Sequence, residues 1–100
     1  MIWSIYMVMG KDKKIYTGIT TDIDRRFEEH QTSDTKGAKF LRSRRPLVLL
    51  VAMPVGNQGH ALRVEHRVKR LSRSRKEDII REPAILASFI EEEVNRKSNS

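Results

Sequence analysis

Between Ile15 and His30 the sequence IYTGITTDIDRRFEEH changes from strand-like to helix-like within a few residues. Ile15 to Ile19 reads as a short strand, Thr20 to Asp22 as a turn, and Asp24 to Gln31 as a helix. Asp22 suits the N-cap, because its carboxylate can accept amide protons that the first helical turn leaves unsatisfied. Ile23 and Phe27 stand one turn apart and face the core, while Arg26 and His30 form a second such pair along the rim of the buried face. Upstream, Ser4-Ile5-Tyr6 adds a second phenol to that of Tyr16. Two tyrosines, a guanidinium and an imidazole are thereby expected at one end of a small sheet, a grouping suited to handling phosphate.

The remaining elements build a frame for that grouping. Ile2 to Met9 is expected to form a first strand, Gly10 to Lys13 a turn, and Lys14 to Thr20 the second strand of a hairpin. Gly18 inside this strand either marks a bulge or lets another backbone or a ligand come close. Ala38 to Arg42 reads as a short helical turn in a segment displaying Lys36, Lys39, Arg42, Arg44 and Arg45, with Phe40 among them. Cations beside one aromatic suit contacts to a nucleic-acid backbone with some stacking, although Phe40 itself reads as a core anchor for the loop. Pro46 opens the apolar run Leu47 to Met53, expected to be the central, fully covered strand, and Pro54 to Gly59 is expected to be a loop.

Asn57 is placed to cap a helix from Gly59 to Leu71 whose apolar stripe is Ala61, Val64, Val68 and Leu71. Glu65 lies at the edge of that stripe, either salt-bridged to a neighbouring Arg or holding a cation. Ser72 or Ser74 can cap a further helix through Arg81, with Ile79 and Ile80 inward. Pro83 fits the first turn of a last helix with Ile85, Leu86, Phe89, Ile90 and Val94 on its apolar face, followed by a polar, frayed tail from Asn95 to Ser100. The expected fold is a small α/β domain, a three-stranded, mainly antiparallel sheet surrounded by helices. Residues 1–82 form its body, and residues 83–100 add a C-terminal helix and tail packed on it.

Charge bears on function through its placement. From Thr35 to Lys76 there are twelve Lys or Arg residues and one acid, Glu65, whereas the rest of the chain carries eight basic and twelve acidic residues. Such segregation makes one face strongly positive and favours a polyanion partner. The chain has no Cys, which excludes disulfides and thiolate zinc sites and makes a reducing cytoplasm the simplest setting. No apolar run approaches the length of a membrane span, and the N-terminus lacks the features of a signal peptide.

The ordered set of residues resembles the GIY-YIG nucleases. Ser4-Ile5-Tyr6 resembles the GIY element with Ser in place of its glycine, and Tyr16-Thr17-Gly18 resembles the YIG element with Thr in the middle. Arg26, His30 and Glu65 follow in family order. Lys36-Gly37-Ala38-Lys39, Arg44-Arg45-Pro46 and Lys69-Arg70-Leu71-Ser72 are similar to the small stand-alone bacterial members of the YhbQ type. These are related to the eukaryotic nuclease domain that cuts branched DNA. The similarity spans about Ile2 to Ile80.

The resemblance implies hydrolysis of a DNA phosphodiester with a divalent cation, Mg²⁺ or Mn²⁺, and no small-molecule cofactor or membrane. Glu65 is implied as the one protein ligand of the metal. Arg26 would clamp the non-bridging oxygens, where charge builds up in the transition state. Tyr16 would accept the proton of the attacking water, and Tyr6 would position water or phosphate beside it. His30 would hydrogen-bond Tyr16 or pass the proton onward. Lys36, Lys39, Arg42, Arg44, Arg45, Lys69 and Arg70 would contact the nucleic acid. Larger relatives carry an asparagine after the glutamate helix; here Asn95 and Asn99 are the only later ones. With no appended domain and no cysteine-rich zinc module, cutting is expected to be weakly specific or biased by structure, on branched or single-stranded DNA in repair. The alternatives are a nucleic-acid-binding module that does not cut, and a protein-interaction domain using the C-terminal helix.

Overall fold

The strand that organises the molecule is the first one, β1 (Trp3–Met9), which pairs on both sides. The computed structural model describes residues 1–96. β2 (Ile15–Thr20) runs antiparallel to β1 in an unbroken register from Ser4↔Thr20 to Met9↔Ile15. β3 (Val48–Gly56) pairs antiparallel with its other edge, giving the order β2-β1-β3. The apolar run expected at the centre is therefore an edge strand. Val48 is 57% exposed and Leu49 38%. Pro54, expected in a loop, lies within the strand, where an edge tolerates its missing N–H. A continuous apolar run does not distinguish a covered strand from a half-covered edge. The consecutive buried residues Ile5 to Val8 mark the true centre.

Alternation along β1 sends neighbouring side chains to opposite faces. Ile5 and Met7 enter a core with Val64, Val68, Ile79 and Leu86. Those partners come from α2 (Gln58–Lys69), α3 (Arg73–Arg81) and α4 (Ala84–Val94). Burying side chains of this size contributes about 1.5–3 kcal/mol each. Tyr6 and Val8 point the other way, towards α1 (Ile23–Thr32) and a 3₁₀ helix, Lys39–Arg44.

The helix caps follow from side-chain chemistry. Asp22 accepts from Arg25 N at 3.0 Å, Asn57 from His60 N at 2.8 Å, and Ser72, rather than Ser74, from Arg75 N at 3.2 Å. At the far end of α1, Arg45 Nε donates to His30 O at 2.8 Å and Nη2 to Ser33 O at 2.6 Å. On α4, Ile85, Leu86, Phe89 and Ile90 pack inward as expected, but Val94 is 39% exposed and Glu93 is buried instead. The expected tail from Asn95 to Ser100 lies, from residue 97 onward, outside the described residues. Among the described residues no helix is long and apolar enough to cross a membrane.

Candidate active site

The site forms where Tyr6 leans over Gly18. The two residues are directly paired across β1 and β2. A Cβ on Gly18 would stand 2.6 Å from Tyr6 Cζ, so only glycine leaves room for the ring. Of the two readings of Gly18, close approach holds, the visitor being a side chain rather than a backbone or a ligand. The Tyr6 hydroxyl thereby reaches the β2 edge of the sheet, where residues from both faces of the sheet meet.

His30 is buried behind Tyr6, not on the rim of α1 as its spacing suggested. Its Nε2 lies 2.8 Å from Tyr6 Oη, and its Nδ1 accepts the Ala38 backbone N–H at 3.0 Å. With Nδ1 acting as acceptor, the neutral ring carries its proton on Nε2 and donates it to the phenol oxygen. The Ala38 amide is brought there by Gly37, whose missing Cβ would stand 3.0 Å from His30 Cα. Burial, and then the Arg26 charge, hold the His30 pKa below its ordinary value, with Arg45 in support and Glu29 opposing. Burial raises the Tyr6 pKa; Arg26 beside it pulls down, and Glu65 and Glu29 push up.

Arg26 Nη1 donates to Lys36 O at 2.7 Å and to Glu29 Oε1 at 3.1 Å, and its guanidinium lines the cleft with the Tyr6 phenol. From the other face of the sheet, Glu65 on α2 pairs with Lys69 Nζ at 3.3 Å. The salt bridge expected of Glu65 is made with Lys69 rather than with a neighbouring Arg. Tyr6, Arg26, His30, Thr17 and Lys69 line one cleft of about 190 Å³. Glu65 does not itself line the cleft; its partner Lys69 does. The Thr17 hydroxyl is buried without a hydrogen-bond partner. As a polar residue in the middle of a strand triplet it carried a signal that sequence reasoning passed over.

Tyr16 lines the same cleft but turns its hydroxyl away, donating to Asp12 Oδ2 at 3.0 Å. The phenol bonded to His30 is thus Tyr6, correcting the expected His30–Tyr16 contact. Register decides this, since Tyr16 pairs with Val8 and only Tyr6 sits against the gap at Gly18. Asp12, read only as a turn residue, also accepts from Arg44 Nε at 3.0 Å. Burial and the hydrogen bond to Asp12 raise the Tyr16 pKa, with Arg44 opposing. Phe40 is no core anchor: it is 55% exposed, with its ring centroid 5.3 Å from that of Tyr16 at the rim.

The basic residues divide sharply. Lys36, Lys39 and Arg70 are exposed and pair with no carboxylate among the described residues. Arg42 is half-buried with its Nε unpartnered. Arg44 is held by Asp12, and Lys69 by Glu65. Arg45, expected to contact nucleic acid, is a helix cap that also reaches Asp34 Oδ1 at 3.3 Å.

The family described as the GIY-YIG catalytic domain matches residues 2–78. The chain belongs to the GIY-YIG family. It is 46% identical to the UPF0213 protein YhbQ of Escherichia coli O127:H6 over 88 residues, covering 88% of this chain and 86% of that protein. The corresponding protein of Escherichia coli strain K12 is 44% identical over the same length. Among solved structures, the solution structure of the UPF0213 protein BH0048 from Bacillus halodurans superposes with a TM-score of 0.52. It is 40% identical, with 80% of this chain and 83% of that one covered. GIY-YIG proteins are generally endonucleases; membership implies a nucleic-acid substrate and, typically, a divalent metal.

Proposed function

We propose that this protein is a divalent-metal-dependent DNA endonuclease whose proton acceptor is Tyr6. The observation that carries this reading is the convergence on the Tyr6 phenol and its cleft. His30 on α1 donates to the phenol oxygen, Arg26 lines the same cleft, and Lys69, the ion-pair partner of Glu65, reaches that cleft from α2. A water attacking a phosphate in this cleft would pass its proton to Tyr6 Oη once the phenol has released its own proton to solvent, a release that burial opposes. The His30 Nε2–H and the Arg26 charge both favour the phenolate. Arg26, on the wall of the cleft, would face the oxygens that gain charge in the transition state. Tyr16, its proton committed to an anionic Asp12, serves better as a wall than as the acceptor first expected of it.

Among the described residues no cluster of three or more His, Asp or Glu side chains could cage a metal. A lone carboxylate still fits a hard cation that keeps its waters and takes further oxygens from the substrate. Glu65 fits that description, and the Lys69 ammonium already facing it marks the place as attractive to positive charge. When bound, Mg²⁺ or Mn²⁺ would neutralise charge on the phosphate and leaving oxygen. The same proposal places the protein in the cytoplasm, acting with little sequence preference on branched or single-stranded DNA in repair.

Incubation with plasmid and Mg²⁺ or Mn²⁺ is expected to give nicks that Glu65→Ala and Arg26→Ala abolish, while metal-free DNA binding persists. Nicking that survives both substitutions overturns the assignment. A second reading, binding without cleavage, is favoured by one observation, the Lys69–Glu65 pair that occupies the carboxylate. It predicts salt-steep binding and no metal-dependent product.

A further inference from the structure

A second concavity, about 430 Å³, opens between α2 and α4, and Tyr6 does not line it. At its floor lies Glu93, whose side chain is 7% exposed. Arg67 Nη1 donates to Glu93 Oε2 at 3.0 Å, Arg63 Nε stands 3.4 Å from Oε1, and Arg96 Nη1 3.5 Å from the same oxygen. Arg67 is fixed further by Glu92 Oε1 at 2.8 Å and by the Phe89 ring, 4.3 Å from its Cζ to the ring centroid. A buried carboxylate is costly unless paired, and this one gathers three guanidiniums round a single cleft. Each guanidinium has five N–H donors, and the carboxylates present use only a few of them. Arg63 and Arg96 remain half-exposed or more, so their unused donors face solvent. Planar donors held at fixed spacing with positive charge in excess are a site for phosphate.

We propose that this cleft is a second phosphate-binding site, which grips nucleic acid that has already crossed α2 from the cleavage cleft. The inference rests on the reading of this chain as a nucleic-acid-binding protein. A polynucleotide fits better than a small anion because the outward stripe of α2 is continuous. Leu62, Arg63, His66, Lys69 and Arg70 recur at helical spacing and are all exposed. Lys69 lines the first cleft, and Arg63, His66 and Arg70 line the second. A helix is about 10 Å across, so the path over α2 matches about three nucleotides of one strand.

The test is metal-free fluorescence anisotropy with a labelled DNA duplex longer than two helical turns, titrated with salt. Arg63→Ala and Arg96→Ala are each expected to lower the magnitude of the log K against log salt slope by about 0.9, and together by about twice that. Arg63→Lys and Arg96→Lys are expected to restore it, which a purely structural role in docking α4 would not require. Unchanged slopes in both alanine variants overturn the proposal, as does a loss confined to Lys36→Ala. Loss of polyglutamate binding in the two alanine variants, with duplex binding unchanged, would assign the cleft to an acidic polypeptide and likewise overturn it. Because no cutting is measured, failure here is distinct from failure of the nuclease reading, which the nicking assay decides.

Discussion

At the scale of single residues, the geometry turns on what Gly18 lacks. Gly18→Ala would place a methyl 2.6 Å from Tyr6 Cζ and force the ring off the strand. Overpacking of this kind costs about 1–3 kcal/mol, so a lowered melting temperature with loss of nicking is expected. A protein that melts lower yet nicks at the wild-type rate would separate Tyr6 from the chemistry. His30 yields a second prediction. Its pKa is depressed in the folded state, so its contribution to stability is present above the ordinary value of about 6.5 and is lost as pH falls through the lower folded pKa. Protonation at Nδ1 would turn that acceptor into a donor facing the Ala38 N–H. The urea midpoint of the wild type should therefore decline below neutrality more steeply than that of His30→Gln, and parallel curves would refute it. The candidate residues were readable one by one in the sequence, but their partners were not. That His30 serves Tyr6 depends on which residue faces Gly18, and strand register is a property of the folded sheet.

At the scale of elements, the helices were the most legible part. Asp22, Asn57 and Ser72 cap where their chemistry said they would, because an N-cap is a local bargain between one side chain and the next turn. Strand order was not legible, since an apolar run says only that something covers it. The basic block was half-legible. Arg44-Arg45 read as two equivalent cations, yet Arg45 ties off α1 through two backbone carbonyls while Lys36 and Lys39 stay in solvent. Arg45→Ala is thus expected to lower stability by about 1–3 kcal/mol, as hydrogen bonds from a charged group do, and to leave the salt dependence of DNA binding nearly unchanged. Lys36→Ala and Lys39→Ala are expected to do the reverse, each reducing that salt slope by about 0.9 with little change in melting temperature. Chemical denaturation and salt-titrated binding on the three variants check both halves.

At the scale of the whole molecule, the basic stretch from Thr35 to Lys76 is folded so that its one acid, Glu65, is paired with Lys69, which lines the cleft. A lone carboxylate in so positive a neighbourhood attracts any cation within reach, and the nearest is the protein's own Lys69 at 3.3 Å. A divalent ion seeking Glu65 must therefore compete with a tethered ammonium one helical turn away. Lys69→Ala removes the competitor and leaves the carboxylate. It is expected to tighten Mn²⁺ binding several-fold, read as the fall in the free-ion paramagnetic resonance signal, with no nucleic acid present. The same variant is expected to bind DNA more weakly, because Lys69 also lines the cleft. Glu65→Gln should remove the Mn²⁺ signal change, and the double variant should behave like Glu65→Gln alone. If Lys69→Ala leaves Mn²⁺ binding where it was while Glu65→Gln abolishes it, the ion pair is a surface contact that yields freely. If neither substitution alters Mn²⁺ binding, Glu65 is not the ligand, and the charge of the cleft is organised round nucleic acid alone.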